Sequence, residues 1–489
     1  NIGGLMPING FLYPGASGPP SPYEVANSLR FDDGSSDRLN ITPSSTGNRK
    51  NWTWSSWIKR SGAFGSKITI FGSFEDTNFN NYIHLFFTDA DKIELQNVSS
   101  GSNTGAFTTD RVFRDPSAWL HLLLEVDTTE STASDRIKLY INGQRETNLS
   151  STANPSLNED LQINISGRSF EIGAFNSNQY FDGYMAEVVL LDGTSADTSS
   201  FGEFDSDSPT IWKPINVSGL TFGTNGFHLD FEDSSALGND VSGNDNDFSV
   251  NNLTAIDQST DTCTNNFCTL NPLDNYYFNS AFSEGNLKVV TNSGNYSLNT
   301  STFWLSAGKW YWEVKVGTSS TNDMIGIAHT QSTSTSNYLG HNANGYAYRG
   351  DGAIFYNYAG TTSALSGFGS GTLGTYGNGD IIMFALDLTN SKLYCGVNGT
   401  WGNSGDPTSG STGTGAVSIT AVGSTPNGVY TPAISDWHNA ASLTAEINFG
   451  SPSFSISSGN SDANSYGNFE YSVPSGYYSL NTKNLAEFG

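Results

Sequence analysis

The run Trp119-Leu-His-Leu-Leu-Leu-Glu-Val-Asp127, followed after a polar turn by Arg136-Ile-Lys-Leu-Tyr-Ile-Asn-Gly143, leaves this chain few folds to choose from. A strand-forming stretch, a Thr/Ser/Asp-rich turn and an alternating stretch that ends in Asn-Gly predict a β-hairpin. Ile137, Leu139 and Ile141 fall on one face and Lys138 and Tyr140 on the other. That is the period of two expected of a half-buried strand.

Composition agrees. Of 489 residues, 53 are glycine, 13% are aromatic and only 14% are charged. Long amphipathic helices need more Ala, Glu, Lys, Leu and Arg than this. Aromatic and β-branched residues favour strands, and Gly, Asn, Asp and Ser supply turns. The expected class is all-β. With 47 acidic against 21 basic residues, the formal net charge is −26. Such a surface repels phosphate and carries no Lys/Arg cluster to offset the repulsion, which excludes nucleic acid as a partner. No segment approaches the roughly 20 consecutive apolar residues of a membrane span, so no membrane insertion is expected. The same acidic, Asn/Ser/Thr-rich surface suits an extracellular or particle-borne protein.

Residues 1–22 lack the basic start and continuous apolar core of a signal peptide. They read as an extended arm carrying Leu5, Met6, Ile8, Phe11, Leu12 and Tyr13, apolar residues that need a surface to dock on. A partner molecule is the expected surface. Three cysteines make no disulfide framework. Cys263 and Cys268 could close a small loop or be ordinary connector side chains, and Cys395 sits in a strand pattern as a free thiol.

Residues 23–250 contain the strand patterns Ser28–Asp32, Asn51–Arg60, Lys67–Phe71, Tyr82–Phe87, the hairpin above, Phe170–Gly173 and Phe181–Leu191. Their order resembles laminin-G-like, concanavalin-A-like jelly rolls. Gly226–Asp233 resembles the opening strand of the same superfamily and reads as a closing strand or added hairpin. Residues 251–275, polar and Asn/Thr-rich around two cysteines, are the linker expected from composition. In residues 276–489, Gly308-Lys-Trp-Tyr-Trp-Glu313, Gly379-Asp-Ile-Ile-Met-Phe-Ala-Leu-Asp387 and Leu393-Tyr-Cys-Gly-Val-Asn-Gly399 resemble a SPRY domain. The tail from Tyr466 to Gly489 is expected to pack across that second sandwich. The predicted architecture is two antiparallel β-sandwiches, a laminin-G-like jelly roll and a SPRY-like module, joined by a linker and preceded by an arm.

Three features could carry chemistry. Glu125-Val-Asp-Thr-Thr-Glu130 matches the Glu-x-Asp-x-x-Glu signature of retaining β-glucanases with a jelly-roll fold, which place two carboxyls about 5–5.5 Å apart. In a regular strand, residues five apart point to opposite faces, so a turn explains these residues better than a catalytic pair. Asp240, Asn244, Asp245 and Asp247 surround Gly243 with hard oxygen donors, a candidate Ca²⁺ loop without EF-hand spacing, for which an Asx-turn loop is the competing reading. Six histidines show no metal-ligand spacing, and His121 among leucines is expected to be structural.

Sugar rings present apolar C–H faces, so aromatic loop residues are the better binding candidates. Tyr346, Tyr348, Arg349, Asp351, Tyr356 and Tyr358 cluster in one region, while Trp401 and Trp437 flank other loops; core positions are the competing reading for each. Laminin-G-like and SPRY-like modules in tandem resemble surface proteins of marine tailed bacteriophages. That resemblance implies a non-enzymatic fibre, decoration or receptor-binding component that engages host cell-surface polysaccharide. It further implies attachment to other virion proteins through residues 1–22, a homotrimer for avidity and no required cofactor. A secreted adhesin and a glucanase-like depolymerase are the alternatives.

Overall fold

The computed structural model describes residues 23–489 apart from 63, 76–78, 275–279, 293, 320–321, 332–337, 438–441 and the side chain of 151. The arm expected at residues 1–22 lies outside the described residues. What is described is all-β, with antiparallel sheets and two short helices, Tyr358–Thr361 and Thr482–Phe488. No helix among the described residues is long and apolar enough to cross a membrane.

The opening hairpin forms as its pattern dictates. Leu120–Asp127 pairs with Ile137–Ile141, with Leu122 opposite Ile141 and Val126 opposite Ile137. Asn142 and Gly143 both take positive φ (48° and 74°), so a two-residue turn returns the chain to Gln144, which faces Ile141. Leu139 and Ile141 enter the core, joined by Trp52 and Trp54 of Asn51–Arg60. Around this hairpin one sheet runs Gln144–Arg145, Ile137–Ile141, Leu120–Asp127, Asn51–Arg60, Gly183–Asp192, Ser28–Phe31 and Gln258–Ser259. The facing sheet runs Leu149–Ala153, Ser102–Thr109, Ile93–Ser99, Tyr82–Phe87, Ile68–Phe74, Ser169–Ile172, Arg38–Ile41 and Ser249–Asn251. Phe227–Leu229 branches off Gly183–Asp192 beyond a bulge at Ala186/Val189, which makes the Gly226–Asp233 segment an added strand of this sandwich.

In the second sandwich Lys309–Thr318 is central. Trp310, Trp312, Val314 and Val316 lie on one face and are fully buried, as the alternation predicts. The strand sits between Ile381–Asp387 and Thr444–Asn448, and the facing five-stranded sheet runs Ser297–Thr300, Thr431–Asp436, Asp323–Ala328, Gly345–Arg349 and Ile354–Phe355. The tail does cross this sandwich: Phe469 and Tyr477 pack on Tyr311, Met383 and Tyr394 on the outer face of the larger sheet.

Residues 251–275 do not behave as a free linker. Gln258–Ser259 extends the first sandwich beside Ser28–Phe31, and Cys268 and Leu270 enter the second core. Lys59 reaches across the seam and donates to Asp261 Oδ2 (2.7 Å), Asn266 Oδ1 (2.7 Å) and the Phe267 carbonyl (3.0 Å). Tyr184 donates to the Gly285 carbonyl (2.9 Å), and Arg30 lies 3.3 Å from Glu284. Asn side chains that mark a linker by composition are here bonded to the modules: Asn266 to Lys59 and the Ser117 carbonyl, and Asn265 to Lys483 N. All three cysteines are free thiols, so no small disulfide loop forms.

Candidate functional site

Tyr82–Phe87 carries rings on both faces. Ile83, Leu85 and Phe87 point into the core, leaving Tyr82, His84 and Phe86 on the outer face of their sheet. Beside them, Gly72 stands opposite His84 and leaves room that the Phe175 ring fills. Phe175 lies parallel to His84 at 4.1 Å, and His84 parallel to Phe86 at 4.2 Å, a stack of three rings over this strand. Tyr82 packs edge-on against Phe175 at 5.4 Å, and Phe79 lies 5.7 Å from it with 41% of its surface exposed. The result is an open cleft of about 240 Å³ with aromatic walls.

Among the described residues its rim is polar and uncharged except at one point. Asn176, Asn178, Gln179 and Gln96 contribute amides, and Lys67 stands at the edge with its ammonium 5.7 Å from the Phe86 ring centre. The 176–179 loop is wound tightly: Asn176, Ser177 and Gln179 all take left-handed φ of 52–53°. Such φ values are costly for residues other than glycine and cluster where a loop must hold side chains in place. Gln179 Oε1 is buried and accepts no hydrogen bond. Tyr82 donates to Gln96 Oε1 (2.8 Å), and Gln96 in turn donates to Glu94. Burial, and secondarily Lys67, push the His84 imidazole down to about 3, so it is a neutral ring that shares a hydrogen bond with Thr69 Oγ1 (2.9 Å). An aromatic wall with amide donors and acceptors along one edge suits a ligand that has apolar faces and hydroxyl edges.

The aromatic residues expected to bind from the sequence do not converge. Tyr346 and Tyr348 are core residues: Tyr346 accepts from Thr420 N (2.9 Å), and Tyr348 donates to the Leu373 and Gly374 carbonyls. They face inward because alternation along Gly345–Arg349 puts Ala347, not the tyrosines, on the outer face. Arg349 is paired with Asp351 (Nε to Oδ1, 2.9 Å), and Tyr356 stacks on Tyr346 at 4.5 Å. Tyr358 and Trp437 meet each other at 5.0 Å outside the five-stranded sheet, whereas Trp401 packs near Tyr311 on the other sheet. The Ca²⁺ loop likewise closes on itself. Asp240 accepts from His228 N and Ser242 N on Oδ1 and from Ser242 Oγ and Asn246 N on Oδ2, while Asp247 accepts from Asp240 N. Asn244 donates to the Gly223 and Gly226 carbonyls, and Asp245 points to solvent. Among the described residues no group of three His, Cys, Asp or Glu side chains is placed to hold a metal ion.

Glu125 and Glu130 sit on different elements, the strand and the turn after it. Glu125 stands opposite Lys138 and is held by Lys138 Nζ (2.9 Å), Tyr140 OH (3.0 Å) and Ser195 Oγ (3.0 Å). Glu130 lies beyond the strand end, in the turn that follows Asp127. His121 is structural, bonded to Ser55 Oγ and the Trp212 indole in a fully buried position.

Residues 33–197 match the family model described as the concanavalin A-like lectin/glucanases superfamily. That span contains every residue that lines the cleft and leaves more than half of the chain outside it. No curated protein matches the chain. Among solved structures, it is similar to the SPRY domain of human HERC1 (12% identity, 36% of this chain and 96% of that one, TM-score 0.27). It is also similar to domains LG4–5 of the mouse laminin α1 chain (10% identity, 88% and 90% covered, TM-score 0.31). A third is a Bacteroides ovatus protein described as a candidate carbohydrate binder (16% identity, 47% and 59% covered, TM-score 0.33). The fold described above rests on strand order and register, not on these likenesses.

The cleft was absent from the sequence-based candidates because its parts come from residues 67, 79–86, 96 and 175–179. One signal was present: a strand with rings at Tyr82, His84 and Phe86 and apolar side chains at Ile83, Leu85 and Phe87 can bury only one face in a sandwich core.

Proposed function

We propose that this chain recognises carbohydrate without altering it, and that a sugar ring docks in the cleft walled by Phe79, Tyr82 and Phe175. The carrying observation is the exposed Phe79 ring beside Tyr82 in a cleft whose rim is made of the Asn176, Asn178, Gln179 and Gln96 amides. A saccharide's ring C–H face covers the aromatic surface, and its hydroxyls meet the amides at the rim. The family match over this span supports the reading, since its description joins lectins with glucanases. The ion-paired Glu125 favours the lectin side. Screening the chain against an array of bacterial and algal oligosaccharides tests the proposal. Binding should be lost in Phe79→Ala and Tyr82→Ala, with no reducing sugar released and no change in Glu125→Gln. Retained binding in both ring variants would refute the placement, and sugar release that depends on Glu125 would refute the non-enzymatic reading.

We further propose that the glycan belongs to a host cell surface and that the protein acts from the outside of a tailed-phage particle, as a fibre, decoration or receptor-binding component. The support is the tandem of laminin-G-like and SPRY-like sequence patterns. Residues 1–22 would attach it to other virion proteins, and a trimer would multiply weak single sites into useful avidity. A fixed copy number in purified virions is the expected result. Recovery only as free or cell-anchored protein would favour an adhesin.

A further inference from the structure

We infer that the cleft selects an acidic sugar, with the carboxylate or sulfate of a uronate-type residue held at Lys67 while its ring lies against Phe79 and Tyr82. This rests on the carbohydrate reading above and adds the ligand's charge.

Three observations carry it. First, Lys67 is exposed and, among the described residues, has no carboxylate within ion-pair distance, although acidic residues outnumber basic ones 47 to 21 in this chain. Second, among the described residues no carboxylate lines the cleft, and those nearby are engaged elsewhere. Glu94 accepts from Gln96, Glu171 accepts from Ser177 N (3.1 Å) and lies 3.8 Å from Arg38, and Glu75 lies 3.7 Å from Arg168. Third, His84 stays neutral, so among the described residues Lys67 is the single positive charge at a rim otherwise made of amides. In a molecule of net charge −26, a neutral sugar would need no such cation and an acidic one would need local relief from the surrounding field. An exposed lysine whose ammonium stands over the Phe86 ring at the mouth of the cleft meets that need.

The test uses paired probes: oligogalacturonate, oligomannuronate and hyaluronan fragments, each beside the same oligosaccharide with its carboxyls reduced to primary alcohols. The chain should bind at least one acidic probe roughly fivefold more tightly than its reduced partner, the factor an exposed charge pair supplies. The preference should shrink with added salt. Lys67→Gln should bring the ratio of the two affinities to one, and Phe79→Ala should abolish binding of both. Equal affinity for acidic and reduced forms, or a preference that survives Lys67→Gln, overturns this inference and leaves the carbohydrate reading standing. Binding that survives Phe79→Ala, or no binding of any of these probes and of the broader array, overturns the carbohydrate reading and this inference with it.

Discussion

Replacing Gly72 by alanine should weaken ligand binding in the cleft while leaving the fold intact. Gly72 is extended, so its backbone accepts a side chain, but the new Cβ would stand 2.4 Å from Phe175 Cδ2 and 3.2 Å from Cε2. Ordinary carbon contact needs about 3.5 Å or more, so the ring must retreat by roughly 1 Å. It has nowhere to go without disturbing its neighbours: His84 is stacked at 4.1 Å, Phe74 and Tyr82 are each 5.4 Å away and Phe79 is 5.7 Å away. Overpacking of this kind costs about 1–3 kcal/mol of stability. Losing the alignment of the rings that face the ligand costs on the order of 1 kcal/mol of binding, or about five- to tenfold in Kd. Thermal unfolding and titration calorimetry with an array-positive oligosaccharide read the two effects separately. Gly72→Ala with wild-type affinity would show that the Phe175 ring does not support the ligand surface, and the site assignment would fall.

Other consequences concern the seam and the acidic loop. Asp182 is fully buried beside Asp32, and burial, reinforced by Asp33 and Asp32, raises its carboxyl to about 7 from an ordinary 3.8. A carboxyl with a raised folded-state value adds stability below pH 4 that is lost as pH climbs towards 7. Asp182→Asn should therefore stabilise the chain more at pH 8 than at pH 5, and an equal effect at both would contradict the assignment. Lys59→Met removes a cation that is 1% exposed and leaves Asp261 buried with only Trp119 Nε1 and Phe267 N as donors. A loss of about 3 kcal/mol or more is expected, together with separation of one calorimetric transition into two; a single, unshifted transition would show that the seam does not couple the sandwiches. Chelation with EDTA should leave Tm unchanged because Asp240 already accepts four hydrogen bonds. A rise on adding Ca²⁺ would restore the metal reading of Asp240, Asn244, Asp245 and Asp247.

Local patterns were legible because local physics decides them. The Ile137/Leu139/Ile141 and Trp310/Trp312/Val314/Val316 alternations name their core faces directly, and Asn142-Gly143 names its turn. Alternation alone left Tyr346 and Tyr348 open between core and ligand contact, because a tyrosine can bury its ring and satisfy its hydroxyl on a loop backbone tens of residues away, the Leu373 carbonyl for Tyr348 and the Thr420 N–H for Tyr346. The linker misled for a related reason. Polar residues such as Asn266 and Asp261 look solvated in a sequence, yet they bond across the seam to Lys59. The cleft depends on the meeting of Gly72 with Phe175, a pair 103 positions apart (175 − 72), which no period of two or 3.6 reports.

The most direct test of the central claim is a crystal structure of the chain with an array-positive oligosaccharide soaked in. A sugar ring against Phe79 and Tyr82, with its hydroxyls on the rim amides of Asn176, Asn178 or Gln96, is the predicted result. A sugar found instead beside Tyr358 and Trp437 on the second sandwich, with the cleft empty, would contradict the account.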